Sequence, residues 1–439
     1  MTVQYLIRGE DASAIAASVE TGILAADLAP GDQLPPVREL ARTLGVSPTT
    51  VAAAYRSLRG RGLIVAHGRR GTSVSPQPPL PTRPRASAPL GVRDLGNGSP
   101  DPELLPSLSD VLATLRLKPR LYGEATNVPA LIEAARRYLE ADGIDCSSIA
   151  IAAGALDGIE RVLQAHLRPG DRVIVEDPGY SAILDLLKTL GLVAVPVPID
   201  DRGPVTAGFV RALAKGASAC VVTPRAQNPT GAALDGARTG ELRAALRDHP
   251  RVLIIEDDHA SATAGTPAFT LTDGSRRRWA VVRSVSKALG PDLRVAFVAG
   301  DAVTVGRVEG RMNLGPGWVS HILQYTVLTL WNAPNVQKML RRAVHTYASR
   351  RNALLEALTR HGIEGHGRSG LNVWIPVQEE AGTMQALLSC GWLVNAGERY
   401  RIESPPAIRV TTARLEPGDS NRFAADLARC LTLASNRTV

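Results

Sequence analysis

From residue 148 to residue 300 the chain repeats one pattern: a short apolar run, a turn, then a longer segment with helical spacing. The apolar runs are "IAIAAG", "RVIVEDPGY", "LVAVPVPID", "SACVVTP", "RVLIIEDD", "WAVVRSVS" and "LRVAFVAG", with stretches such as "LDGIERVLQAHL" and "TGELRAALRDHP" between them. Unbroken short apolar runs suit strands covered on both faces, and strands alternating with helices build a mostly parallel sheet. Such a sheet takes its ligands beyond the C-terminal ends of its strands. Residues 95–334 are therefore expected to form a large α/β domain. A long Arg-rich helix ("VQKMLRRAVHTYASRRNALLEALTRHG") and strand-like pieces ("LNVWIPV", "AIRVTTARL") follow, and predict a smaller α+β domain over 335–439.

Residues 1–74 follow a different pattern. "DASAIAASVETGIL" places Ile15, Val19 and Ile23 four apart on one helical face, and "PPVRELARTLG" does the same with Val37, Leu40, Ala41 and Leu44. Gly45 ends that second helix. In "VSPTTVAAAYRSLRGRG", Ser47 is a good N-cap with Pro48 at the first helical position, and Val51, Ala54, Tyr55 and Leu58 form the apolar stripe. "LIVAHGRRGTSV" then reads as two short strands around a tight turn. Helix, short turn, helix and basic hairpin make a winged helix-turn-helix, whose second helix enters the major groove of DNA. Thr49 and Thr50 at the start of that helix would face the DNA, and Ser47 and Tyr55 are further DNA-binding candidates. Arg38, Arg56 and the wing pair Arg69 and Arg70 are the candidates for phosphate or minor-groove contact.

Charge supports this placement. No Asp or Glu occurs from Leu40 to Arg93, a window with nine arginines, against a surplus of +8 for the whole chain. A basic segment at one end points to a polyanion such as nucleic acid, although a solvated linker has the same composition. Residues 75–94, rich in Pro and Arg, are expected to be an extended tether that lets the reader sit apart and permits swapped packing in a dimer. No apolar run reaches the length of a membrane span, and no secretory signal opens the chain, so a cytoplasmic protein is expected. Four scattered cysteines without C-x-x-C spacing argue for free thiols and against structural zinc.

Only five of the fifty basic residues are lysines. Arginine serves almost wherever a positive charge suffices, so Lys287, between two apolar runs, stands out as a residue needed for its amine, which can join an aldehyde. Ser284, Ser286 and Arg294 around it make a natural phosphate cradle. "AAGALDG" passes from strand to helix, so backbone N–H groups near Gly154, Ala155 and Leu156 can bind the same anion. Asp257 can hold a proton on a pyridine nitrogen, Tyr180 can stack on a flat ring, and Asn228 in "QNPTG" can donate to a phenolate oxygen. These are the requirements of pyridoxal 5'-phosphate. No metal site is expected.

In this chain order, residues from about 95 onward resemble the fold-type I aminotransferases. The whole chain, reader plus tether plus this domain, resembles the MocR family of GntR-type regulators. That resemblance implies that Lys287 forms the aldimine, Asp257 faces the pyridine nitrogen and Tyr180 stacks. Asn228 would bind the cofactor oxygen, and Ser284 with Arg294 the phosphate. It implies further that Tyr122 in "LYGEATN" reaches the partner subunit's phosphate site, and that Arg409 clamps an effector's carboxylate. His259 stands where the family has tyrosine; it can still bond the cofactor oxygen, with titration expected nearer neutrality. Asn127 and Ile132 replace the family's glycine and arginine. The function implied is a dimeric, pyridoxal phosphate-dependent regulator that binds DNA with two half-sites and senses the cofactor or an amino compound. The alternative is an active aminotransferase with an appended DNA-binding domain; half a transamination at most is expected.

Overall fold

The computed structural model describes residues 5–24, 27–60, 62–66, 71–75, 88–273 and 276–435. The chain divides into two units: Met1–Ala86 with Leu167–Arg172 and Ala182–Ala194, and the remainder.

The reader has helices α1 (Ala12–Leu24), α2 (Val37–Leu44) and α3 (Pro48–Gly60), with strands β1 (Gln33–Leu34), β2 (Ile64–Ala66) and β3 (Thr72–Val74). Its sheet has the order β1-β3-β2, antiparallel throughout. Ile15, Val19, Leu40, Val51, Leu58 and Ile64 close one core, so the periodic stripes read from sequence are the buried faces. α2 stops at Gly45, whose φ of 70° lets its N–H reach back to the carbonyls of Ala41 and Arg42. Two residues later Ser47 starts α3, its Oγ accepting from the Thr50 N–H at 3.1 Å. The wing tip with Arg69 and Arg70, and most of the tether, lie outside the described residues.

The chain continues with β4 (Arg93–Asp94), α4 (Leu108–Thr114) and α5 (Pro129–Glu140). The main sheet is formed by β5 (Ser148–Ala152), β6 (Arg172–Asp177), β7 (Val193–Asp200), β8 (Gly203–Pro204), β9 (Ala219–Val222), β10 (Leu253–Asp258), β11 (Trp279–Ser284) and β12 (Ala296–Gly300). Their order is β5-β12-β11-β10-β9-β6-β7-β8. Strands β6, β9, β10 and β11 are parallel, whereas β12 runs antiparallel to both β11 and β5. Between strands run α6 (Ala155–His166), α7 (Ser181–Thr189), α8 (Thr206–Ala214), α9 (Gly236–Arg247) and the single turn α10 (Ser286–Leu289). Every residue of β10 and β11 is buried, as expected of strands covered on both faces. After α11 (Ala302–Asn313), α12 (His321–Asn332) and the long α13 (Pro334–Arg360), a smaller layer forms from β13 (Asn372–Pro376), α14 (Glu380–Ser389), β14 (Trp392–Leu393), β15 (Asn395–Ala396), β16 (Ala407–Thr411) and α15 (Pro417–Ser435). β16 pairs with β13 and β15, placing Arg409 between Trp374 and Asn395. Among the described residues no helix is long and apolar enough to cross a membrane.

Candidate functional site

A pocket opens at the C-terminal ends of β10 and β11, where a parallel sheet presents its ligand site. Alternation along β10 decides what its three terminal carboxylates do. Asp257 points into the pocket. Glu256 and Asp258 point to the other face, Glu256 accepting from the Thr270 hydroxyl and Asp258 meeting two arginines. Asp257 is 2% exposed, and its Oδ1 has no hydrogen-bond partner among the described residues. Burial, then the charges of Asp258 and Glu176, push its pKa up to about 7. A buried carboxylate oxygen without a donor is costly. A ring N–H⁺ at this point would supply the missing donor.

Lys287 lies on the α10 turn after β11 and donates from Nζ to the Gly98 carbonyl. Burial first, then the nearby charge of Arg409, lower its pKa to about 8, against the opposing attraction of Asp257. Tyr180 and Asn228 line the same pocket. Asn228 accepts on Oδ1 from Arg409 Nη1 at 3.0 Å, which leaves its amide N–H₂ for an acceptor in the pocket. His259 also lines it, with Nδ1 3.8 Å from Asp257 Oδ2. Burial and the charge of Lys287 hold His259 down at about 4, so it is neutral at physiological pH. This corrects the expectation that it titrates nearer neutrality.

The residues expected to cradle an anion lie together at one pocket. Ala155 and Leu156 open α6 at the pocket edge, beside Ser284, Ser286 and Arg294. Ser284 Oγ donates to Ser286 Oγ at 3.0 Å, and Arg294 is tied to the Ala153 carbonyl at 3.1 Å. Gly154 has φ of 103°, and a β-carbon there would overlap the Arg294 guanidinium. Only glycine fits. A phosphate finds helix N–H groups, two hydroxyls and a guanidinium together. These residues fit pyridoxal 5'-phosphate at both ends, phosphate and ring nitrogen.

Arg409 is 4% exposed, donates to the Gly96 carbonyl at 2.6 Å and lies 5.0 Å over the Tyr400 ring. It stands behind Asn228 at the pocket's side. Tyr122 is not brought into its own chain's pocket: it is 93% exposed and meets only the edge of Trp318 among ring contacts.

In the reader, Arg38 on the first turn of α2, Ser47 and Thr49 at the start of α3 and Arg56 further along α3 are exposed, and Thr50 is half-buried. The Ser47 hydroxyl bonds those of Thr49 (2.7 Å) and Thr50 (2.8 Å). Tyr55 is a correction. Its ring is buried in the reader core and its hydroxyl donates to the Pro35 carbonyl at 2.8 Å, so it braces α3 and does not face a groove.

Sequence reasoning missed a buried network directly behind the pocket. Asp258 accepts from Arg225 (3.0 and 2.9 Å) and Arg283 (2.7 Å), and both arginines also meet Asp142. Burial raises the Asp258 pKa, but Arg283 and Arg225 outweigh it and hold the group at about 2. Two arginines at strand ends within apolar runs, "VVRSVS" and "TPRAQ", were the available signal, because buried guanidinium groups demand carboxylates.

Residues 96–427 match the family described as aminotransferase class I and II, and residues 11–74 match the gntR family of bacterial regulatory proteins. The vitamin B6 salvage pathway transcriptional repressor PtsJ of Salmonella typhimurium is 39% identical over 97% of this chain and 100% of that protein. The regulator TauR of Rhodobacter capsulatus is 30% identical, covering 80% of each chain. The solved structure of kynurenine aminotransferase from Pyrococcus horikoshii has a TM-score of 0.72 at 20% identity, covering 78% of this chain and 91% of that one, a likeness of fold. With a gntR-type reader and an aminotransferase class I and II domain in one polypeptide, and a relative of the same composition along its whole length, the chain belongs to the MocR-type branch of the GntR family of transcriptional regulators.

Proposed function

We propose that this regulator reads the supply of vitamin B6 through the Lys287 pocket and converts occupancy into altered DNA binding by a homodimer in the cytoplasm. The observation that carries it is a cofactor pocket with an Asp257 oxygen that has no hydrogen-bond partner among the described residues, in a chain that also carries an acid-free α3 with Thr49 and Arg56 exposed. The likeness to PtsJ, a repressor of vitamin B6 salvage by its name, supports the choice of signal. When bound, the cofactor supplies an aldehyde for the Lys287 amine and a ring that draws electrons toward its nitrogen. The chain's part is binding and orientation. Asp257 would keep a proton at the ring nitrogen, Tyr180 would cover a face, Asn228 and neutral His259 would bond polar ring substituents, and the α6 N-terminus with Ser284, Ser286 and Arg294 would hold the phosphate. An exposed Tyr122 supports a dimer in which it serves the other subunit's pocket, and a swapped reader is compatible with the length of the tether.

Arg409 favours a second reading, in which an amino compound is the effector and its carboxylate is held beside Asn228. A ligand shifts the regulator only through different affinities for two arrangements, and either signal meets that condition. The test is retardation of a duplex from the gene's own upstream region, with and without pyridoxal phosphate and candidate amines, at moderate salt. A retarded complex whose affinity changes with pyridoxal phosphate is expected, with the change absent in Lys287→Ala. No complex under any condition would refute the proposal, and steady multiple-turnover amino transfer would replace it with an enzyme.

A further inference from the structure

A second cavity, of about 390 Å³, lies in the same unit on the far side of α10 from the cofactor site. Two helix faces wall it: Ala134, Arg137 and Tyr138 of α5, and Gln337, Leu340 and Arg341 of α13, each set at the three- and four-residue spacing of one face. Trp331, Asn332, Val344, Ala262 and Ala288, the last next to Lys287, complete the lining. The rings of Trp331 and Tyr138 lie 5.3 Å apart at 53°, an angled aromatic wall. Among the described residues no acidic one lines the cavity. Arg137 meets Glu133 at 3.3 Å on the rim, whereas Arg341 is exposed with no ion pair among the described residues.

The geometry points to a second small-molecule site, for a flat ring carrying a carboxylate or phosphate, whose occupancy is felt at the cofactor pocket. Aromatic walls with aliphatic floors favour a planar ring, and guanidinium groups at the mouth fix an anion. Cavities of this size hold single-ring ligands. The link runs through Tyr138. Its hydroxyl bonds Ser261 Oγ at 3.3 Å, and the Ser261 N–H donates to Asp258 Oδ1 at 3.1 Å. Ser261 has φ of 44°, a conformation that a non-glycine residue holds only when its surroundings enforce it. A ring wedged against Tyr138 therefore bears on the turn joining Asp257 and His259 to the rest of the domain.

The experiment is calorimetry on the full chain, both pyridoxal phosphate-loaded and as Lys287→Ala, with benzoate, phenyl phosphate and neutral benzyl alcohol. Either anion is expected to bind both proteins, with benzyl alcohol at least tenfold weaker. Tenfold preference between the two anions identifies the headgroup. Arg341→Gln, a change at an exposed residue, is expected to weaken binding about tenfold, and Trp331→Leu to abolish it. Benzoate or phenyl phosphate is also expected to shift the visible absorbance of the loaded chain. Absence of binding, or affinity unchanged in both variants, would overturn the site; binding with an unmoved absorbance band would overturn the link. Because Lys287→Ala retains the second cavity, failure of this proposal is distinguishable from failure of cofactor sensing.

Discussion

The rate at which the cofactor-free protein captures pyridoxal phosphate should be governed by the protonation of Lys287. Only the neutral amine attacks an aldehyde. An ordinary lysine, with pKa about 10.4, is neutral at pH 7 in roughly 4 molecules per 10,000. At a pKa of about 8, the neutral fraction is about one-tenth, a gain on the order of 250-fold or about 3 kcal/mol. Burial of the amine is the main cause and the neighbouring Arg409 the second. Stopped-flow absorbance of the lysine-linked cofactor should show capture rising nearly tenfold per pH unit from about pH 6, then bending to a plateau near pH 8. Arg409→Met removes the second cause, and its bend should move to higher pH. A rate that is flat from pH 6 to 8, or that rises without bending to pH 10, would refute the assigned amine environment.

Gly154→Ala should weaken retention of pyridoxal phosphate about tenfold or more in equilibrium dialysis, since a β-carbon displaces Arg294 and the left-handed backbone costs about 1–3 kcal/mol. Asp258→Asn should destabilise the second unit by about 3–5 kcal/mol in denaturant titration, because it leaves two buried guanidinium groups short of a charge partner. The sign with pH is fixed by a pKa lowered to about 2: the wild-type contribution is present above the unfolded value of about 3.9 and is lost as pH falls through about 2. Arg56→Ala should weaken DNA binding across sequences and reduce the salt slope by about one. Tyr55→Phe, in contrast, should leave affinity unchanged and lower the reader's stability by about 1 kcal/mol through the lost bond to Pro35.

The elements were legible because their signals are local. Ile15, Val19, Leu40, Val51 and Leu58 declare buried helix faces by spacing alone, and β10 and β11 declare double burial by unbroken apolarity. Lys287, Asp257 and Ser284 could be placed because strand ends are where such sheets bind ligands. Tyr55 was misassigned because position on α3 does not reveal the direction of its hydroxyl; the Pro35 carbonyl that captures it is twenty residues away. Asp142 was invisible for a related reason. It follows α5 as an unremarkable loop acid, and only the folded sheet brings it to Arg225 and Arg283.

The pair Asp257 and Asp258 shows why site chemistry needs the fold. Adjacent in sequence and identical in type, they are driven apart, one up to about 7 and the other down to about 2. Period-two alternation sends one toward a pocket with an unmatched oxygen and the other toward two guanidinium groups. The effects are coupled, since the charge held on Asp258 by Arg225 and Arg283 is itself a cause of the raised value at Asp257. The raised value at Asp257 thus depends in part on a neighbouring carboxylate that never enters the pocket, and it favours a proton at the pocket's floor. A pyridine nitrogen placed there would meet a carboxylate already disposed to share that proton, with Asp258 on the opposite face of the strand contributing to that disposition.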